Sequence, residues 1–160
     1  MIKKMIVVLD NIRSMFNTGS IFRTADALGA EKIYLCGYTP SPLDKLGRPR
    51  PKFIKTSLNA ERSVPFEKRV STMRVLDKLK KEGYRILAVE QSDKSIPYYQ
   101  YKSRNEKYAL VMGHEVRGLP EAILKRADKV LEIPMAGMKE SLNVGIAFGI
   151  VAYELKYGKK

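Results

Sequence analysis

Tyr108-Ala109-Leu110-Val111-Met112-Gly113-His114-Glu115-Val116-Arg117-Gly118-Leu119-Pro120 is the stretch that decides the fold. Five apolar residues read as a buried strand, and a glycine-bearing turn follows. A helical pattern then covers 121–126 and a further strand 129–133. Strand, loop, helix, strand in that order is the signature of a parallel pair with a helix laid over one face. The same alternation runs upstream. A strand over 5–9 leads into a helix over 17–28, with Ile21, Phe22, Ala25 and Leu28 on one stripe and Gly29 as its stop. A strand over 32–36 follows. Between Gly37 and Pro51 four prolines and two glycines break the pattern. A short helix near 52–62, an amphipathic helix over 71–82 and a strand over 84–90 complete the first half. The chain closes with a helix over about 141–156, apolar nearly all round, as a helix covered on more than one side would be. The expected fold class is α/β, a mostly parallel sheet with helices on both faces.

At 160 residues the chain fits one domain by the usual prior of roughly 100–200 residues each. With 44% apolar and 29% charged residues it has the makings of a core, which argues against disorder. One cysteine (Cys36) and one histidine (His114) exclude a disulfide framework and a zinc site drawn from Cys and His alone, so no metal is expected. The apolar runs fall far short of the ~20 residues that span a membrane. The opening stretch, with Lys3 and Lys4 before five apolar residues, is too short for a leader. A reduced cytoplasmic setting is therefore expected. The net charge is +13, with 16 basic and 7 acidic residues in 1–80 and 14 and 10 in 81–160. A polyanion such as nucleic acid is the natural partner of such a surface, since neutralising phosphates releases their condensed counterions.

In open α/β sheets ligands bind beyond the carboxyl ends of the strands, which directs attention to three loops, 10–25, 112–120 and 133–144. In the first, Asn17 reads as a helix cap, while Arg23 lies on the second helical turn among apolar neighbours. In the second, Gly113 and Gly118 would hold backbone groups open for a ligand, and Glu115 sits near the next helix start. His114 reads as a turn residue rather than a base. In the third, Ser141 would cap the last helix and Gly137 make a turn. No dinucleotide fingerprint and no phosphate-binding P-loop is present. Arg, Asn, Ser and Glu together suit transfer to a hydroxyl, with the reactive group carried by a cofactor.

The three loops together resemble, in order and over nearly the whole chain, the SpoU family of the SPOUT class of S-adenosylmethionine-dependent RNA methyltransferases. The first is similar to its N-x5-R-T-A motif, the second to G-x-E-x-x-G-L and the third to I-P-M-x-G-x3-S-L-N-V. The resemblance implies a parallel α/β domain over 1–160 with a C-terminal trefoil knot and no separate RNA-binding extension. It implies a homodimer whose sites draw on both subunits, and methyl transfer to a ribose 2′-hydroxyl of tRNA or rRNA. It places Arg23 near that hydroxyl with Asn17 beside it, and has Glu115, Ser141 and Asn143 line the site and orient substrate and arginine. The cofactor would rest on Val89, Glu90, Gly113, Ile133, Met135, Ser141 and Leu142. Arg13, Arg48, Arg50 and Lys52 are the candidates for RNA contact. Gly145 stands where many members carry serine. Two other readings stay open: an RNA-binding module without methylation activity, and a methyltransferase for a small molecule.

Overall fold

The computed structural model describes residues 4–102 and 106–158; Met1 to Lys3, the head of the stretch read against a leader, lie outside them. Among the described residues seven strands form one sheet: β1 (Met5–Asp10), β2 (Lys32–Cys36), β3 (Phe66–Arg69), β4 (Arg85–Val89), β5 (Ile96–Pro97), β6 (Tyr108–Met112) and β7 (Lys129–Glu132). Their order is β3-β2-β1-β6-β4-β7-β5, and every pairing is parallel. The sheet is thus fully, rather than mostly, parallel, and all its carboxyl ends share one rim.

Among the same described residues five helices cover the faces: α1 (Met15–Ala27), α2 (Pro51–Ser57), α3 (Thr72–Lys81), α4 (Glu121–Leu124) and α5 (Val144–Tyr157). Alternate residues of each central strand serve opposite faces. Val7, Leu9, Leu110 and Met112 pack with Phe22 of α1, Phe53 of α2 and Phe148 and Val151 of α5. Ile6, Val8, Ala109 and Val111 pack with Leu76 and Leu79 of α3 and Ile123 of α4. Strands buried on both sides must be apolar throughout, which is why β1 and β6 read as continuous hydrophobic runs.

Several boundaries depart from the sequence reading. The first helix begins at Met15, not at 17, because Ser14 is its cap and accepts the Asn17 N–H. The last helix begins at Val144, because Asn143, not Ser141, accepts the N–H groups of Gly145 and Ile146. The helix read near 52–62 ends at Ser57, where Leu58 and Asn59 turn left-handed before a short 3-10 turn. Among the described residues no helix is long and apolar enough to cross a membrane.

Candidate active site at the carboxyl rim

The three loops meet where β1, β4, β6 and β7 end. Glu115 is the hub. Its carboxylate accepts the backbone N–H groups of Arg13 and Ser14 at 2.9 and 3.0 Å and the Asn17 side-chain amide at 3.1 Å. Asn17, buried in the first turn of α1, uses its carbonyl oxygen to accept from the Asn143 amide at 2.9 Å. Asn143 in turn caps α5. One chain of hydrogen bonds therefore ties the first loop to the second and the third.

This geometry fixes a charge. Burial alone would raise the Glu115 carboxyl, but the donors from Arg13, Ser14 and Asn17 outweigh it and hold the group below its usual range. Glu115 is thus an anion at neutral pH with its acceptors engaged by the protein, and it serves as an anchor rather than a proton carrier.

A cleft of about 280 Å³ opens beside this chain, near the small end of the roughly 300–1,000 Å³ typical of ligand pockets. Val89, Glu90, Gly113, Ile133, Met135, Ser141 and Leu142 all line it, so the residues proposed for the cofactor share one cavity. Glu115 lines it too, whereas Arg23 does not. Arg23 is exposed on α1 and makes no hydrogen bond or ion pair among the described residues. It lies six residues beyond Asn17, about 9 Å along the helix and on a different face. The chain thus brings Asn17, Glu115 and Asn143 together and leaves Arg23 apart.

Two glycines are also required by close packing around the second loop. A side chain at Gly113 would strike Leu119, and one at Gly118, where φ is +66°, would meet the Glu90 carboxylate. They let the loop close on itself, and both line the cleft. Glu90, expected at the cofactor, fastens that loop by accepting the Leu119 N–H at 2.8 Å and the Gln91 N–H at 2.9 Å. His114 is a turn residue, as read: its Nδ1 accepts from the N–H groups of Val116 and Arg117. Gly145 lets α5 approach Ser20 of α1, where an added Cβ would lie 3.3 Å from the hydroxyl.

Three of the four RNA candidates lie away from this chain of hydrogen bonds, and Arg13 lies on it. Arg48 and Arg50 belong to a hairpin closed by a Leu43–Pro49 bridge, with Arg48 paired to Asp44 at 2.9 Å and Arg50 donating to the Leu43 carbonyl. Lys52 is exposed at the start of α2, and Arg13 is exposed beside Glu115. The sequence reading missed Asp10, buried at the end of β1 and accepting from Thr72, and Tyr38 beside the second loop. A carboxylate ending an apolar strand was the only signal for Asp10.

Comparison with known proteins bears on what this rim does. The model of the SpoU rRNA Methylase family matches residues 4–153. A tRNA (guanosine(18)-2′-O)-methyltransferase of Aquifex aeolicus is 32% identical over 95% of this chain and 68% of its own length. An AdoMet-bound rRNA methyltransferase from Sinorhizobium meliloti superposes with a TM-score of 0.86 at 29% identity, over 97% of this chain and 56% of that one. A structure concerned with the 2-OH methylation of C/U34 on tRNA superposes with a TM-score of 0.81 at 31% identity, over 98% and 96%. The chain spans only 57% of the length of a 28% identical Bacillus subtilis 23S rRNA (guanosine(2553)-2′-O)-methyltransferase. With two motif loops lining one cleft, the first loop tied to them through Glu115 and Asn143, and the match running almost end to end, the chain belongs to the SpoU rRNA methylase family.

Proposed function

We propose that this protein is a cytoplasmic, homodimeric methyltransferase that moves the methyl group of S-adenosylmethionine to a ribose 2′-hydroxyl of tRNA or rRNA. The observation that carries the reading is the cleft itself, lined by every residue proposed for the cofactor and bordered by the Asn17–Glu115–Asn143 chain. The named activities of the similar proteins and the surplus of 13 positive charges support an RNA substrate.

The lining suits the cofactor. Val89, Ile133, Leu142 and Ala147 offer an apolar wall, and Glu90, Glu132 and Glu140 offer negative charge to a ligand that carries a sulfonium and an ammonium. Among the described residues, the backbone N–H groups of 135–142 make no hydrogen bond, which leaves them for polar edges of a ligand. When bound, S-adenosylmethionine supplies an electrophilic methyl group on sulfur. Ser141 faces that cleft, while Asn17, Glu115 and Asn143 act as positioning residues that fix the three loops.

Arg23 supplies the cation at the 2′-hydroxyl. A guanidinium keeps its proton across the working pH range and is a poor proton acceptor, so its role is to hold the hydroxyl and a phosphate in place. It lies seven residues from Phe16 and so shares its face of α1. Phe16 is 65% exposed, and on α5 so are Ile146 (56%), Tyr153 (45%) and Tyr157 (65%). A second copy covering this apolar face would bring Arg23 of one protomer towards the cleft of the other. Arg13, Arg48, Arg50 and Lys52 would hold the RNA backbone.

Incubation with methyl-labelled S-adenosylmethionine and total bacterial RNA tests the activity. Label recovered in 2′-O-methyl nucleotides is the expected result; RNA bound without label leaves a non-catalytic binding module, and label in small molecules alone removes RNA as the substrate. Light scattering at micromolar concentration should give the mass of a dimer, and a monomer would reject the assembly.

A further inference from the structure

Tyr38 stands on a turn fastened on both sides. Gly37 before it takes a left-handed φ of +62°, and its N–H donates to the Arg69 carbonyl at 2.9 Å. Asn11, also left-handed, accepts the Tyr38 N–H at 3.1 Å. Thr39 after it is fully buried: its hydroxyl accepts from the Ile12 N–H and lies 2.8 Å from the Cys36 carbonyl, and its own carbonyl accepts from the Lys68 ammonium. Between these anchors the Tyr38 ring is half exposed.

Two cleft residues meet that ring. The Arg117 guanidinium donates to the Tyr38 hydroxyl at 2.5 Å, and the His114 ring stands edge-on to it, with centroids 6.3 Å apart at 83°. His114 is itself fixed by its two backbone donors. A rigid aromatic face held in water, tied to a cation and continuous with the mouth of the cleft, suits a ligand with a flat π-system and a nearby anion. A nucleotide unit of RNA has both.

We propose that Tyr38, His114 and Arg117 form a stacking platform for a nucleobase of the bound RNA, with Arg117 also facing a flanking phosphate. The proposal rests on the RNA methyltransferase reading above. Because every base has a π-face, the platform sets the position of the strand rather than its sequence. Because the turn is already fixed, little freedom is lost when the base lands.

Filter binding with total bacterial RNA and with inorganic polyphosphate, a polyanion without bases, tests the platform. Tyr38→Leu, which keeps bulk but loses the π-face, should weaken RNA binding by about five-fold or more. It should leave the salt dependence, polyphosphate binding, S-adenosylmethionine affinity and melting temperature unchanged. Tyr38→Phe should stay within about two-fold of the wild type on the same stacking argument. Total RNA labelled in cells with 4-thiouridine should photo-crosslink to the peptides holding Tyr38 or His114 in the unaltered protein. RNA binding by Tyr38→Leu at the wild-type level, parallel loss of RNA and polyphosphate, or crosslinks only elsewhere would each overturn the platform. Wild-type protein that labels no RNA would instead overturn the reading on which it rests.

Discussion

The loops at 113–119 and 133–143 leave the two strands that flank β4 and border the same cleft, yet they are held in opposite ways. The first is closed on itself: His114 accepts two backbone donors, Gly118 donates back to His114, and Glu90 and Glu115 fasten its ends. In the second, the side-chain amide of Gln91 reaches the Glu140 carbonyl, while Met138 is fully in solvent. A loop whose polar groups bind one another gives position. A loop whose polar groups are left over has binding capacity to offer, and gains its order from what it binds.

The largest effect should come from a residue outside both loops. If the fixed loop only positions, the chemistry falls to Arg23, and Arg23→Ala should lower turnover by roughly 10²-fold or more. Affinity for S-adenosylmethionine and the melting temperature should hold, because the side chain is exposed and touches neither loop. Arg23→Lys should recover little, since lysine lacks the planar fork. Calorimetry beside single-turnover methylation reads both, and near-normal rates in the Ala variant would remove Arg23 from the mechanism.

Next comes the anchor of the fixed loop. Glu115→Ala leaves three donors without their carboxylate and should cost about 2 kcal/mol of stability in urea unfolding. The same anchor has a pH signature. Its folded-state pKa lies below the ordinary value of 4.5, so its contribution is whole above about pH 4.5 and is lost as the pH falls through the depressed value. Glu115→Gln should flatten that acid limb of the stability profile; an unchanged limb would assign it to other carboxylates.

Hydrogen exchange tests the contrast directly. Saturating S-adenosylmethionine should slow exchange of the 135–142 amides by about ten-fold or more and leave 116–119 nearly unchanged, since only the open loop has order to gain. Equal protection of both would dissolve the distinction. The smallest effect belongs to the 43–50 hairpin, tied internally like the first loop but exposed like the second. Replacing Arg48 and Arg50 by Ala should flatten the salt dependence of RNA binding by up to about two units of slope, since each phosphate that is no longer neutralised removes about 0.7–0.9. An unchanged slope would leave the hairpin a bystander.

How much of this was legible in the sequence depended on whether a residue's role was local. The central strands announce themselves because burial on both faces forces five apolar residues in a row. The edges do not. β3 reads Phe66-Glu67-Lys68-Arg69, half exposed, and β5 is two residues long with a proline tolerable only at an edge. The candidate site residues Asn17, Glu115 and Asn143 stand out as members of motifs, but their bonds to one another do not. Those bonds depend on how loops 98 and 126 residues apart come together, which no local pattern records. The cap of α5 shows the same limit: Ser141 and Asn143 are equally good caps by type, and only the path of the loop selects Asn143. Tyr38 gives no signal in sequence, because an aromatic in a proline-rich stretch carries no sign of the anchors around it.

The hydrogen bond from Asn143 to Asn17 also has a meaning in time. It joins the first helix to the cap of the last one and closes 126 residues of chain. Contacts of such long span form late, because the entropy of closing the loop is lost before the contact returns anything. The SpoU fold implies a trefoil knot in this same C-terminal part, which adds a threading step to the delay. A chain released early would therefore hold β1, β2 and α1 with no assembled site. The assembled site should arrive among the last events of folding, together with the similarly long-range pairing of β1 with β6.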